Sequence, residues 1–328
     1  MRDSAAPMAS LGFGCGDLYG GGQAAASRAL IEAAWAAGIR HFDVARLYGD
    51  GSAEGVVGEA LQPVRREATI VSKAGIIPWS MRLGARSLGK AARLARRGGP
   101  LARALIPEPP DAAARFGAFG VGELKRSVET SLKALRTDHL DLLLLHECSP
   151  ADARRPEMLR LLEGLRDQGK ILGFGIAARF DETLQIIAES PGLAHTAQFA
   201  SDAANANVDR VRGKGPAQVI THTPLKEALP RLMARLASDP EAGRRWREAA
   251  GLEPGDRQGA AAVLLAEAAA QNPGGVVLFS TTRPERIRAA VEAVRTPPAP
   301  AVRRLLGELL DRTPAETFQE ARALKLGG

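Results

Sequence analysis

Eight short apolar runs punctuate this 328-residue chain, and a stretch of helical periodicity follows each of them. The runs fall at residues 9–14, 40–45, 68–73, 140–146, 171–177, 195–199, 217–222 and 275–281. The helical stretches begin near Gln23, Ser52, Val121, Arg154, Asp181, Asn205, Arg257 and Pro284. Strands that alternate with helices pair in parallel, because each crossover helix returns the chain to the same end of the sheet. The run DLLLLH (141–146) is apolar almost throughout, as suits a parallel strand buried on both faces. The pattern predicts an α/β fold: a (β/α)8 barrel of parallel strands in one domain, residues 1–328.

Local signals place the joints. Ser52, with Glu54 in the following turn, starts one helix; Asp181 is the expected N-cap of another, and Pro284 an expected first helical residue. Gly38 and Gly169 close two helices. Two connections are longer than simple loops, residues 79–120 after the third strand and about 223–256 after the seventh. Both are expected over the C-terminal face of the strands, where barrel enzymes keep their sites. An amphipathic stretch at 301–311 adds a C-terminal helix outside the barrel.

The net charge of +7 resembles a nucleic-acid signal until it is located. Between Trp79 and Phe119 stand Arg82, Arg86, Lys90, Arg93, Arg96, Arg97, Arg103 and Arg115, opposed by Glu108 and Asp111 alone. That segment carries nearly all of the excess, so the remainder is close to neutral and no nucleic-acid partner is expected. Residues 87–106 read as one or two short helices with arginine on one side and leucine and alanine on the other. Three readings stand open: a solvated lid, a selector for acidic or phosphorylated substrates, or a contact with another macromolecule or a membrane surface. Trp79, Phe116 and Phe119 are either pocket walls or core anchors.

Cys15 and Cys148 are the only cysteines, which excludes a disulfide framework and suggests a reducing compartment. No metal-ligand spacing occurs, and no run approaches the ~18 apolar residues of a membrane span. The expectation is a cytoplasmic protein without a metal or a membrane partner, a monomer or small homo-oligomer.

Four polar residues cluster at expected strand ends: Asp43 in HFDVA, Tyr48 just beyond it, Lys73 closing TIVSK, and His146 closing DLLLLH. Singly, each has an ordinary reading as a strand end, a turn residue or a satisfied core histidine. Together they form a set that carbonyl chemistry requires. Hydride reduction of a carbonyl needs a proton for the developing alkoxide, and a tyrosine supplies it poorly at its reference pKa of about 10. A neighbouring ammonium favours the phenolate, and a carboxylate keeps that ammonium charged and oriented. A histidine donor polarises the carbonyl. Tyr48 would be the acid/base, Lys73 its tuner, Asp43 the anchor and His146 the orienting donor.

At these residues the chain resembles the aldo-keto reductase family. LGFGCG (11–16), GIRHFDVARLYGDGSAEGVVGEAL (38–61), TIVSKAG (69–75) and SLKALRTDHLDLLLLH (131–146) follow the family's order and spacing. The resemblance implies the catalytic tetrad Asp43, Tyr48, Lys73 and His146, and NADP(H) held across the barrel mouth, with NAD(H) as the alternative. VLFSTTRPERIR (277–288) resembles the adenosine-phosphate segment, which implies phosphate contacts from Ser280 and Thr281 and a 2′-phosphate contact from Arg286. Gln198 falls at the family's nicotinamide-carboxamide position. Three positions depart from the family: Ala177-Ala178 replaces Ser-Asn, His222 replaces an aromatic that stacks on nicotinamide, and Ala290 replaces an asparagine.

The implied partner is a small carbonyl or alcohol substrate, acidic if the basic insertion selects it. Two other functions stay open: a nicotinamide-binding module that reports redox state with little turnover, and a non-redox barrel enzyme such as a lyase or isomerase. The G-x-G-x-x-A match at 173–178 is set aside, since a dinucleotide fingerprint needs a turn between strand and helix. Here the glycines lie within a strand run.

Overall fold

The computed structural model describes residues 10–78 and 114–312. Eight strands close into one parallel barrel in sequence order. They are β1 (Ser10–Gly14), β2 (His41–Asp43), β3 (Thr69–Ala74), β4 (Leu140–His146), β5 (Ile171–Ala177), β6 (Thr196–Ala200), β7 (Gln218–His222) and β8 (Val276–Phe279). The seam closes where β1 pairs with β8, Gly12 lying opposite Leu278. A Cβ on Gly12 would lie 2.7 Å from the Leu278 side chain and 2.9 Å from His41, so a larger residue would have to displace side chains in the bore.

Alternation sorts the side chains of every strand. Val71, Leu142, Leu144, Ala177, Ile220, Val276 and Leu278 face the bore and form its apolar plug. The opposite parity, including Phe42, Ile70, Leu143, Ile176, Phe199 and Val277, joins the larger core beneath the helices. The same rule puts Asp43, Lys73, His146, Gln198 and His222 on the bore side at the C-terminal ends of their strands. The barrel is a packed core capped at one end by polar groups, not a pore.

The described helices are α1 (Ala24–Ala36), α2 (Ala53–Leu61), α3 (Val121–Leu135), α4 (Pro150–Ala153), α5 (Pro156–Asp167), α6 (Phe180–Glu189), α7 (Asn207–Val211), α8 (Ala228–Ser238), α9 (Pro240–Ala250), α10 (Arg257–Gln271), α11 (Glu285–Ala293) and α12 (Pro300–Leu309). In α3 the residues Leu124, Ser127, Val128, Ser131, Leu132 and Leu135 are buried, a three-and-four spacing that turns one stripe to the barrel. Two expected joints shift, one by two residues and the other by one. Asp181 lies inside the first turn of α6, and Pro284 is the N-cap of α11 rather than its first residue.

The connection after β7 is long, as the sequence predicts, but most of it is helical. Helices α8 and α9 pack with α10 and α12 around Trp246, Leu232, Leu264 and Leu306, a second core beside the barrel. Asp239 accepts hydrogen bonds from the N–H groups of Glu241 and Ala242 and starts α9 behind Pro240. The expected C-terminal helix is α12. Arg303 and Arg312 both pair with the fully buried carboxylate of Glu267, fixing this outer layer to α10.

Trp79, the expected helices at 87–106 and every cation of the insertion except Arg115 lie outside the described residues. Arg115 forms an antiparallel bridge with Ile77 and an ion pair with Glu123, so its charge is already engaged. Phe119 is a core anchor, its ring packed against the space above Gly75. Phe116 is exposed, and neither phenylalanine lines the cavity described below.

Candidate active site

After β2 the chain makes a constrained turn that presents Tyr48. Gly49 (φ 58°) and Asp50 (φ 53°) both occupy the left-handed region. A Cβ on Gly49 would lie 2.1 Å from the Leu18 carbonyl, so the turn requires glycine there. Ser52 fixes the turn from below: its hydroxyl donates to the Gly49 carbonyl at 2.5 Å and accepts from the Gly20 N–H at 2.8 Å. Position 48 is thus set by backbone geometry and by the loop after β1.

Three of the four residues singled out in the sequence are joined by hydrogen bonds. Lys73 Nζ donates to Asp43 Oδ1, to the Val44 carbonyl at 3.4 Å and to the Tyr48 hydroxyl at 3.2 Å. Asp43 and Lys73 are buried, whereas Tyr48 is half-buried and opens on the cavity. His146 stands on the far side of the phenol, ring centroids 6.1 Å apart and planes at 88°. These groups line a cavity of about 520 Å³ that also reaches Gly16, Gln198, His222, Lys226 and Ser280.

The electrostatics refine the sequence-based expectation. Burial pushes the Tyr48 phenol above its usual value, and the opposing pull of Lys73 does not overcome it. Lys73 is drawn down by burial, but Asp43 and Tyr48 together raise it further, so the ammonium persists. The expected downward shift of the phenol is therefore not reached in this site. His146 is pushed down to about 3, first by burial and then by Lys73, and is neutral near pH 7. The same causes put His222 at about 4.

The residues expected on the cofactor side divide. Gln198, His222 and Ser280 line the cavity; Thr281 and Arg286 lie beyond it. Ser280 donates its hydroxyl to the Gly14 carbonyl at 2.9 Å and so ties β8 to β1. Thr281 Oγ1 accepts from the Arg283 N–H at 3.1 Å, shaping the entry to α11. Arg286 is exposed in the first turn of that helix and has no ion pair among the described residues. Ala177 and Ala178 line the cavity without a side-chain donor, and Ala290 is buried.

Sequence reasoning missed three features. Lys226 brings a cation to the cavity wall beside His222; nothing in a lone loop lysine marks it. Glu54, read only as a helix-start acid, is buried and accepts from Ser72 Oγ at 2.6 Å, behind the strand that carries Lys73. Burial pushes its carboxyl up against the pull of Ser72 and Arg46, and Arg46 itself donates to Ser127 Oγ at 3.0 Å. Asp43 also accepts from Gln198 Nε2 at 2.8 Å across the bore, a contact between residues 155 apart in sequence. Among the described residues no histidine, cysteine and carboxylate group could hold a metal, and no helix is long and apolar enough to cross a membrane.

Comparison with known proteins agrees with this geometry. The model of the Aldo/keto reductase family matches residues 10–201. Over 194 residues the chain is 29% identical to pyridoxal 4-dehydrogenase of Microbacterium luteolum, covering 52% of each protein. It is 30% identical over 156 residues to 6-dehydroglucose reductase of Agrobacterium fabrum, covering 46% of this chain and 42% of that one. The chain thus spans about half the length of the curated relatives it matches. Among solved structures, an aldo-keto reductase of Klebsiella pneumoniae in complex with NADPH superposes with a TM-score of 0.67 at 20% identity, over 95% of this chain and 97% of that one. One from Bacillus halodurans in its holo form gives 0.66 at 21%, over 92% of each. These structural likenesses concern the fold. With a family match across more than half its residues, from β1 through β6, the chain belongs to the aldo/keto reductase family.

Proposed function

We propose that this protein is an NADP(H)-dependent oxidoreductase that reduces an aldehyde or ketone to an alcohol, or runs the reverse reaction on a substrate such as a sugar or polyol. One observation carries the reading: a buried carboxylate–ammonium pair ends on a phenol that opens into a cavity beside a neutral imidazole. The residues fit the cofactor. The cavity runs from the phenol to Gln198 and on to the β8 end, and Arg286 follows on the next helix as a two-pronged partner for a 2′-phosphate. The Klebsiella relative was crystallised with NADPH, which supports the choice of nucleotide.

When bound, NADPH supplies the hydride for reduction and NADP+ takes one up in oxidation. Tyr48 stays protonated at neutral pH because burial raises it, so it holds the proton that a developing alkoxide needs. Lys73 donates to the phenol oxygen and stabilises the phenolate left after transfer. Asp43 compensates the ammonium in a dry site, where an unpaired charge costs several kcal/mol. His146 is neutral and so offers one ring N–H to the carbonyl oxygen, lowering the barrier without a second positive charge.

The test is a titration of the cofactor-free protein with NADPH and NADH followed by intrinsic fluorescence, with turnover then assayed on a panel of aldehydes and ketones. Micromolar binding that prefers NADPH, with carbonyl-dependent oxidation of it, is the expected result. Tight binding without turnover on any carbonyl would favour a redox-reporting module, a reading that draws on the donor-free Ala177 and Ala178. Binding of neither nucleotide would leave a non-redox barrel enzyme.

A further inference from the structure

We propose that Glu54, buried behind the wall of the candidate active site, is a positioning residue: through Ser72 and the serine face of α3 it sets where the Tyr48 hydroxyl meets Lys73. The inference rests on the reading of Tyr48 as the acid/base given above. Arg46 and Glu54 bracket the turn that presents Tyr48, one two residues before it and the other six after. Both residues are buried, and neither lines the cavity. They carry charge into the packed layer between barrel and helices, where an uncompensated charge is costly.

The groups that receive them interrupt otherwise apolar surfaces. The buried stripe of α3 is Leu124, Ser127, Val128, Ser131, Leu132 and Leu135, and its two serines lie one turn apart. Arg46 donates to Ser127 Oγ at 3.0 Å. Glu54 accepts from Ser72 Oγ at 2.6 Å. Burial pushes the Glu54 carboxyl up, and Ser72, Ser131, Arg46 and Lys73 all pull it back.

Ser72 is the link to the chemistry. Successive residues of a strand point to opposite faces, so Ser72 turns to the helices where Lys73 turns into the bore. The Glu54–Ser72 bond therefore joins the first turn of α2, which follows directly on the Tyr48 turn, to the strand residue next to Lys73. One helical turn beyond Glu54, Gly58 comes so close to α3 that a Cβ would lie 2.5 Å from the Leu135 backbone. Helix α2 is thus seated on α3 at Gly58 and on β3 at Glu54, and the Tyr48 turn hangs from its N-terminal end. On the other side that turn is held by Ser52 and the loop after β1. The Lys73–Tyr48 hydrogen bond of 3.2 Å spans the gap between these supports, and buried hydrogen bonds of this kind rigidify what they join.

The chain has two tyrosines, so carbon-13 labelling of the tyrosine Cζ gives two resonances, and Tyr48→Phe identifies the one that reports on the site. Spectra are recorded at pH 8 without nucleotide for the wild type, Ser72→Ala, Glu54→Leu and Glu54→Gln. Ser72→Ala and Glu54→Leu should move the Tyr48 resonance and leave that of Tyr19 in place. Glu54→Gln keeps an acceptor oxygen for Ser72 and should return the resonance towards the wild-type position. In carbonyl reduction the first two should lose roughly three- to thirtyfold in kcat, since a displacement of ~1 Å costs about a hundredfold. Neither residue reaches the cavity, so the NADPH dissociation constant should stay within about twofold.

A Tyr48 resonance unmoved in both variants, with a lowered urea midpoint alone, would make Glu54 a stabilising residue only and overturn the proposal. A moved resonance with unchanged kcat would overturn it as well. Should Glu54→Leu not fold, Ser72→Ala decides, because it removes one hydroxyl and leaves the carboxyl in place. Lack of turnover by the wild type on any carbonyl would instead remove the oxidoreductase reading. The resonances are read without nucleotide or substrate and would still decide whether Glu54 positions Tyr48.

Discussion

The two sides of the barrel mouth are built on different principles. On the side of β2 and β3 every polar group is committed before any ligand arrives: Asp43 to Lys73 and Gln198, Lys73 to Tyr48, Tyr48 to a turn that only glycine permits. On the side of β5, β7 and β8 the groups are alanines, a half-buried histidine, an exposed lysine and an exposed arginine on α11. The first side is buried, where each interaction is strong and each loss expensive. The second is mixed: its alanines are buried, but Lys226 and Arg286 are exposed, and at these wet cations single contacts contribute less and tolerate replacement. Under the proposed function, chemistry is therefore the less forgiving half of this protein, and cofactor affinity the more adjustable half.

Tyr48→Phe attacks the committed side with the least disturbance and should have the largest effect. Removal of the proposed acid/base hydroxyl is expected to lower kcat by a factor on the order of 10² to 10⁴. The dissociation constant for NADPH should stay within about twofold, because the general acid contributes to proton transfer and not to nucleotide binding. Steady-state kinetics set beside a binding titration check both halves of the statement. An equal fall in affinity would mean that the two sides are not separable.

Lys73→Met strikes the same group of residues and should in addition damage the fold. It strands Asp43 as a buried carboxylate, and breaking a buried pair from one side costs about 3–5 kcal/mol. Urea unfolding should show a loss of that order along with the loss of turnover. Arg286→Ala, on the mixed side, should stay within about 0.5 kcal/mol of the wild type in the same assay.

The pH profile sharpens the same contrast. Under the proposed function reduction needs protonated Tyr48, and burial places that phenol above its reference of about 10. The rate of reduction should be flat through neutrality and fall only as the pH rises through the shifted value. Oxidation needs the phenolate and should rise towards the same limb. His146 at about 3 and His222 at about 4 contribute no limb between pH 5 and 8. A break near pH 6.5 in kcat would show that one of these imidazoles titrates in the working site.

Arg286→Ala is the corresponding attack on the adjustable side. Loss of a charge-assisted phosphate contact of about 1.5–3 kcal/mol corresponds to a rise of roughly ten- to a hundredfold in the NADPH dissociation constant. NADH lacks the 2′-phosphate, so its affinity should not move. Titrating both nucleotides against the variant separates a phosphate contact from a general loss of the site.

The same division explains what the sequence discloses. The eightfold alternation and the ends of β2, β3 and β4 are legible because buried strands demand apolar runs, and a polar residue ending such a run stands out, as His146 does after four leucines. The burial of Glu54 under Ser72 and the reach of Gln198 to Asp43 leave no local trace; both depend on the closed ring, which only long-range pairing creates. The direction of the Tyr48 shift escapes the sequence for a related reason. Residue types show the Lys73 charge, but desolvation is a property of the folded site. Helices α8 and α9 hide within an expected loop because their apolar faces pack on α10 and α12, farther along the chain.

Ala178→Asn should give the smallest effect and is the most direct attempt to convert the mixed side into a committed one. The resemblance to the family puts an asparagine at this position, and the structure places Ala178 on the cavity wall next to Gln198. An asparagine here would offer the carboxamide oxygen a side-chain donor, whereas Gln198 Nε2 already donates to Asp43. One neutral hydrogen bond contributes about 0.5–1.5 kcal/mol, so NADPH affinity should improve between about two- and tenfold with kcat nearly unchanged. Ala178 is buried, however, and a larger side chain must displace neighbours at a cost of the same size. The sign of the change in affinity therefore tells whether the cavity has room for the donor or has closed around the alanine. A gain shows that the two sides differ only in which groups they hold; a loss shows that the packing of the cofactor side has itself been rebuilt around small residues.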